Sequence, residues 1–136
     1  MKKITIIDAS VAIKWFVIEE SGQAAAMATL DRIQDSPQHF AVPELFFNEM
    51  LSVLCKLLDD EKKIQEYMFL LESLGLTRIG NGSELISLAA TIAVKHKLSG
   101  YDAIYAAAAN LVDGHWLTAD ARAHKRIERM RISQLL

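Results

Sequence analysis

Ile4-Thr5-Ile6-Ile7-Asp8-Ala9-Ser10, near the amino end, is the stretch on which the fold turns. Its first four residues are all β-branched, and such a short apolar run reads as a buried strand. Asp8 ends the strand. Ser10 can cap a helix over Val11 to about Val17. Ser21-Gly22 opens a second, alanine-rich helix, roughly Gln23 to Gln34. Phe40 to Val42 forms a short strand, and Pro43 suits the first position of a helix running to about Leu58. Another helix spans about Lys62 to Leu74 and is closed by Gly75.

The alternation continues to the carboxyl end. Leu76 to Ile79 reads as a strand and Gly80-Asn81-Gly82 as a turn. Ser83 can cap a helix to about Lys97, with Leu85, Leu88, Ala89, Ile92 and Ala93 on one face. Ser99 caps the next, Tyr101 to about Leu111. Val112-Asp113-Gly114 turns into a strand, His115 to Thr118, followed by a helix from Asp120 to about Arg129. Ile132 starts a last short strand. Strands alternating with helices predict an α/β fold with a mainly parallel sheet covered on both faces. Ligands of such sheets bind beyond the carboxyl ends of the strands. Asp8 and Asp120 both fall there, 112 positions apart.

Composition narrows the classes. The chain has 136 residues, 51% of them hydrophobic and 24% charged, which suits one globular domain over residues 1–136 and excludes disorder. Net charge is −2, so no global basic field attracts nucleic acid. Arg122, Lys125, Arg126, Arg129 and Arg131 against Glu128 give the last segment +4, which leaves −6 for residues 1–121. That cluster is a solvated helix face or a phosphate-contacting patch. Cys55 is the only cysteine; it lies in an apolar run, reads as a buried core thiol, and fits a reducing cytoplasm. The amino end lacks the pattern of a signal peptide, and no run reaches the roughly 18 apolar residues of a membrane span.

Four acids invite a chemical reading, and each has a plain one. Asp8 with Ser10 sets hard oxygen donors on one turn, as Mg²⁺ prefers, or is a turn residue beside a capping serine. Glu49 falls at the edge of a stripe made by Phe46, Met50, Val53, Leu54 and Leu57, so it faces a cleft or solvent. Glu44, in the first turn, reads as an acid compensating the helix dipole. Asp102 is three residues after Ser99, a capping arrangement; the alanines after it allow close packing that would carry it into a shared site. Asp120, just after Thr118, is a helix cap or a metal acid. A phosphate-binding glycine loop, zinc-like histidine spacing and a nucleophile elbow are all lacking.

Four segments in order resemble the PIN-domain family, and closely the VapC-like toxins of toxin–antitoxin pairs. They are Ile7-Asp8-Ala9-Ser10-Val11-Ala12-Ile13-Lys14-Trp15-Phe16; Val42-Pro43-Glu44-Leu45 through Asn48-Glu49-Met50-Leu51-Ser52-Val53-Leu54; Tyr101-Asp102-Ala103-Ile104-Tyr105-Ala106-Ala107-Ala108-Ala109; and Leu117-Thr118-Ala119-Asp120. The resemblance implies a three-layer α/β/α fold and an endoribonuclease that uses Mg²⁺, with Mn²⁺ as a substitute. It implies Asp8, Glu49, Asp102 and Asp120 as the acidic quartet. Asp8 and Asp102 are the expected metal ligands, Glu49 acts directly or through water, and Asp120 acts through water or a second ion. Ser10 and Thr118 match accessory positions. An RNA substrate, a cognate antitoxin and a homodimer follow from the same likeness, the dimer also from the apolar, alanine-rich middle helices. Arg122, Lys125, Arg126 and Arg129 are the expected RNA contacts. The competing expectation is a non-catalytic RNA-binding or assembly module on the same fold. A receiver-like phosphoacceptor lacks its paired acids near the first strand and its late lysine.

Overall fold

The computed structural model describes residues 3–18 and 21–136. Five parallel strands, β1 (Thr5–Ile7), β2 (Phe40–Pro43), β3 (Thr77–Ile79), β4 (His115–Thr118) and β5 (Ser133–Leu135), form one sheet in the order β3-β2-β1-β4-β5. Seven α-helices among the described residues complete a three-layer α/β/α fold. They are α1 (Ala9–Ala12), α2 (Gln23–Asp35), α3 (Leu45–Leu57), α4 (Glu61–Glu72), α5 (Ser83–His96), α6 (Gly100–Leu111) and α7 (Ala121–Ile127).

Burial follows strand position. Ile6 and Ile7 in the central strand have no exposed surface, and all of β2 is buried, as expected where helices cover both faces. The edge strand β3 is exposed or half-exposed. In α6, Ala103, Ala106, Ala107, Ala108 and Ala109 are fully buried, and the helix packs on β1, β2, β4 and α5. Small side chains allow that approach. Gly114, between α6 and β4, has the same cause: a β-carbon there would collide with the Ile4 carbonyl.

Several local expectations are corrected. Ser10 does not cap α1; Asp8 does, accepting from the Ser10 N–H. That helix is only four residues long and tightens into a 3₁₀ turn at Ile13–Trp15. Pro43 ends β2 in register with Ile79 instead of opening α3; the Glu44 N–H continues the pairing to the Ile79 carbonyl. A strand end tolerates proline's missing donor. Glu44 is the residue before α3, is exposed, and makes no capping bond. Gly82, not Ser83, precedes α5.

The buried stripe of α3 advances in fours, through Phe46, Met50 and Leu54, with Leu45 beside it. Leu58 continues the series and is half-buried. Leu57 falls within that stripe on the helical wheel but is the last residue of α3 and is 53% exposed. Cys55 is rotated away and is exposed, not buried. No helix among the described residues is long and apolar enough to cross a membrane.

Candidate active site

The chain leaves β1 for β2 and β3 on one side and later returns to build β4 and β5 on the other. Adjacent strands β1 and β4 therefore lead their following loops in opposite directions and leave a crevice at their carboxyl ends, where ligands of such sheets bind. The residues directly after these strands are Asp8 and Ala119-Asp120.

The crevice floor is laced by hydrogen bonds. The Asp8 N–H donates to the Leu117 carbonyl at 3.0 Å. Ser10 Oγ accepts from the Ala119 N–H at 2.9 Å and lies 3.4 Å from Thr118 Oγ1. Thr118 Oγ1 also accepts from the Asp120 N–H at 3.1 Å. Ser10 and Thr118 thus fasten the β1 turn to the β4 turn, holding Asp8 and Asp120 to one rim.

Asp8 is 8% exposed. Its Oδ1 accepts from Trp116 Nε1 at 2.9 Å, and its Oδ2 from the Ser10 N–H at 2.8 Å. Burial pushes its carboxyl above the ordinary value of 3.8; the Ser10 and Trp116 bonds oppose this, and the charge of Asp120 adds to it. Net, its surroundings disfavour the carboxylate.

Glu49, on α3, is half-buried, and its Oε1 has no hydrogen-bond partner. Its carboxyl is also raised, first by burial and then by Asp8 and Asp102, while Tyr105 opposes the shift. The buried Tyr105 hydroxyl makes no hydrogen bond of good geometry. It nevertheless lies near enough to Glu49 to favour the charged form. Burial, Asp8 and Glu49 push that phenol well above its usual range.

Asp102 stands in the first turn of α6, whose amino end is capped by Ser99 Oγ, 3.1 Å from the Asp102 N–H. Burial raises its carboxyl, Asp8 and Asp120 raise it further, and Ser99 and Arg126 oppose them. Asp120 is exposed and caps α7, its Oδ1 accepting from the N–H groups of Arg122 at 3.0 Å and Ala123 at 3.1 Å. Asp8 and Asp120 thus fill the plain role the sequence offered, as helix caps, and lie within electrostatic reach of the other acids.

The four acids share one electrostatic neighbourhood. Among the described residues, however, no three His, Cys, Asp or Glu side chains stand close enough together to hold a metal ion. Trp116 and Tyr105 belong to the neighbourhood and were not singled out by sequence. They read there as a strand residue and a helix residue. Their rings stack with centroids 6.1 Å apart, a pairing of α6 with β4 that no local pattern signals. Of the expected RNA contacts, Lys125, Arg126 and Arg129 line a common cleft with α5. Arg122 does not line it and sits in the first turn of α7.

No curated protein sequence matches the chain. Solved structures are similar to it throughout. A chain of a toxin–antitoxin complex from Klebsiella pneumoniae has a TM-score of 0.72 at 18% identity, over 96% of this chain and 95% of that one. FitAcB from Neisseria gonorrhoeae gives 0.71 at 17%, over 92% and 94%. PAE2754 from Pyrobaculum aerophilum gives 0.66 at 18%, over 91% and 79%. At these identities the likeness concerns the fold. The PIN domain model matches residues 5–130, and with this fold the chain belongs to the PIN domain family.

Proposed function

We propose that this chain is a divalent-metal-dependent endoribonuclease and the toxin half of a toxin–antitoxin pair. The observation that carries the proposal is the gathering of Asp8, Glu49, Asp102 and Asp120 beside the β1–β4 crevice. Three of these carboxyls are raised by burial and by one another's charge. Folding holds like charges together there at a cost, a pattern associated with functional sites.

The donor set fits Mg²⁺ or Mn²⁺ in chemistry: hard carboxylate oxygens, one of them the buried and unpartnered Glu49 Oε1. The ligating arrangement would have to form on binding, because no three acids already stand at ligand spacing among the described residues. Asp8 and Asp102 would hold the ion, with Asp120 at the exposed margin. A bound ion would supply charge neutralisation at the phosphate and a more acidic water. The chain's own part is positional. Trp116 and Ser10 fix the Asp8 carboxylate, and Ser10 and Thr118 set the spacing of the two turns. Glu49, with its raised proton affinity, would accept a proton from a water at Oε1.

Purified protein incubated with structured RNA in Mg²⁺, Mn²⁺ or EDTA tests this. Cleavage in either metal and none in EDTA is expected; equal cleavage with chelator would overturn the metal requirement. The other reading is a non-catalytic RNA-binding module on the same fold, and RNA binding without cleavage in any metal would establish it.

An antitoxin placing a basic side chain over the acids is the complementary partner. Co-expression with the flanking small gene should give a complex without nuclease activity. A homodimer is proposed on the resemblance alone, since the alanine face of α6 is consumed inside the fold. Light scattering should give twice the 15.2 kDa chain mass.

A further inference from the structure

The carboxyl ends of two helices meet beside the acidic site. α5 ends at His96, and Lys97 turns the chain with a left-handed backbone, φ 56°. α7 ends at Ile127 and runs into a 3₁₀ turn at Glu128–Met130. Between them lies a cleft of about 810 Å³, lined by Lys95, Lys97, Lys125, Arg126 and Arg129 above Leu88, Ile92 and Met130. All five cations are exposed. Only the last three belong to the basic segment visible in sequence; Lys95 and Lys97 join them from α5.

Helix ends alone do not explain this charge. Five cations against Glu128, the one acid of the lining, give +4. Two helix carboxyl ends offer roughly −0.5 each, so about +3 remains. Arg126 ties the cleft together: its Nη1 donates to the Lys97 carbonyl at 3.0 Å, joining the two walls. Lys97 leads in three residues to Gly100, the start of the helix that carries Asp102. The positive cleft therefore adjoins the negative site.

A polyanion would be repelled by the four acids and needs cations nearby to approach them. We propose that the α5–α7 cleft binds the phosphate backbone of single-stranded nucleic acid, holding nucleotides that flank the one presented to the acidic site. The proposal rests on the nuclease reading for its geometry. The His96 imidazole is the only ring in the lining, with no Phe, Tyr or Trp among these residues, so phosphate contacts outweigh base stacking and binding there should be largely insensitive to sequence.

The test is fluorescence anisotropy of labelled single-stranded RNA with the full chain in EDTA, across a salt series. The variants are Lys95→Glu/Lys125→Glu and, as a control of equal charge change, Lys62→Glu/Lys63→Glu on α4. All four lysines are exposed, and thermal melts check that each variant is folded. Each lost phosphate contact removes about 0.7 from the salt slope for a single strand. The cleft variant should then lose about 1.4 in slope and, at 0.1 M salt, at least about 25-fold in affinity. The control should change little.

Equal weakening by both variants would mean only long-range charge and would overturn the site. So would unchanged affinity in the cleft variant, or displacement of RNA by polyglutamate as efficient as by unlabelled RNA, which would assign the cleft to an acidic peptide. Because the assay needs no cleavage, a cleft that binds RNA in a protein that never cuts it would sink the nuclease reading and leave this inference standing.

Discussion

Replacing Asp8 by Asn separates a metal acid from a turn residue. The carboxylate accepts one N–H on each oxygen, from Trp116 and from Ser10. Asn keeps the size but offers one acceptor; its NH₂ must face the other donor. A buried donor left unmet costs about 1–3 kcal/mol. Against this, the charge of Asp8 no longer opposes Glu49, Asp102 and Asp120. Two carboxylates at an illustrative separation of about 8 Å and an effective dielectric near 20 repel by up to about 2 kcal/mol before screening. Solvent at the half-buried Glu49 and Asp102 and at the exposed Asp120 reduces the total to about 1–3 kcal/mol. The two effects nearly cancel, so in EDTA the variant should melt within about 4 °C of the parent. In Mg²⁺ at a hundred times its dissociation constant the parent gains about 2.7 kcal/mol. For 136 residues this is roughly 9 °C. The variant should gain almost nothing and should not cleave RNA. Calorimetry in EDTA and in Mg²⁺, beside a cleavage assay, reads all of these. An equal Mg²⁺ shift in both proteins, or parental cleavage by a folded variant, would remove Asp8 from metal binding.

Three further outcomes follow from the same geometry. Trp116→Phe deletes the donor to Asp8 Oδ1 and leaves a void in a fully buried position. Melts should show a loss of about 2–4 kcal/mol, and Mg²⁺ titration a roughly 10- to 100-fold weaker affinity; unchanged Mg²⁺ affinity would deny Trp116 any part in orienting Asp8. Tyr105→Phe removes a buried hydroxyl that makes no hydrogen bond of good geometry, so stability should stay level or rise by up to about 1 kcal/mol. Glu49 loses a group favouring its charge, so the acidic limb of the cleavage profile should move to higher pH; an unmoved limb would refute the Glu49 role. Finally, the carboxyls of Asp8, Glu49 and Asp102 lie above their ordinary 3.8, 4.5 and 3.8. Folding thus takes up protons, and the associated stability is full below those ordinary values and lost as pH rises through the raised ones. Melting in EDTA should fall along that climb, with a smaller slope in Asp8→Asn; equal slopes would show that Asp8 is not among the groups responsible.

The sequence by itself determined the elements and their order. Ile4 to Ile7 read as a covered strand and Thr5–Ile7 form it, Ser99 capped α6 as its spacing suggested, and His115 to Thr118 was legible to the residue. Local chemistry sets these features, because period, caps and turns act within a few residues. The same sequence placed Asp8 and Asp120 at strand ends, and resemblance added Glu49 and Asp102. What it could not show is which distant partners hold these turns: Asp8 accepts from Trp116 at a separation of 108, and Ser10 accepts from the Ala119 N–H at 109. The exposure of Cys55 and Leu57 was misread because an apolar run does not say where burial stops. Cys55 lies on the side of α3 opposite Phe46, and Leu57, though on the buried face, is the last residue of the helix, while packing against α1, α4 and β2 buries Phe46, Met50 and Leu54. The basic cleft was half visible, since Lys125, Arg126 and Arg129 sit in one segment. Lys95 and Lys97 join them because α5 and α7 end side by side, with the Arg126 side chain bonded to a backbone carbonyl 29 residues away. Charge counted along a chain cannot show such a cleft, because the field at a point depends on distances that only the folded chain sets.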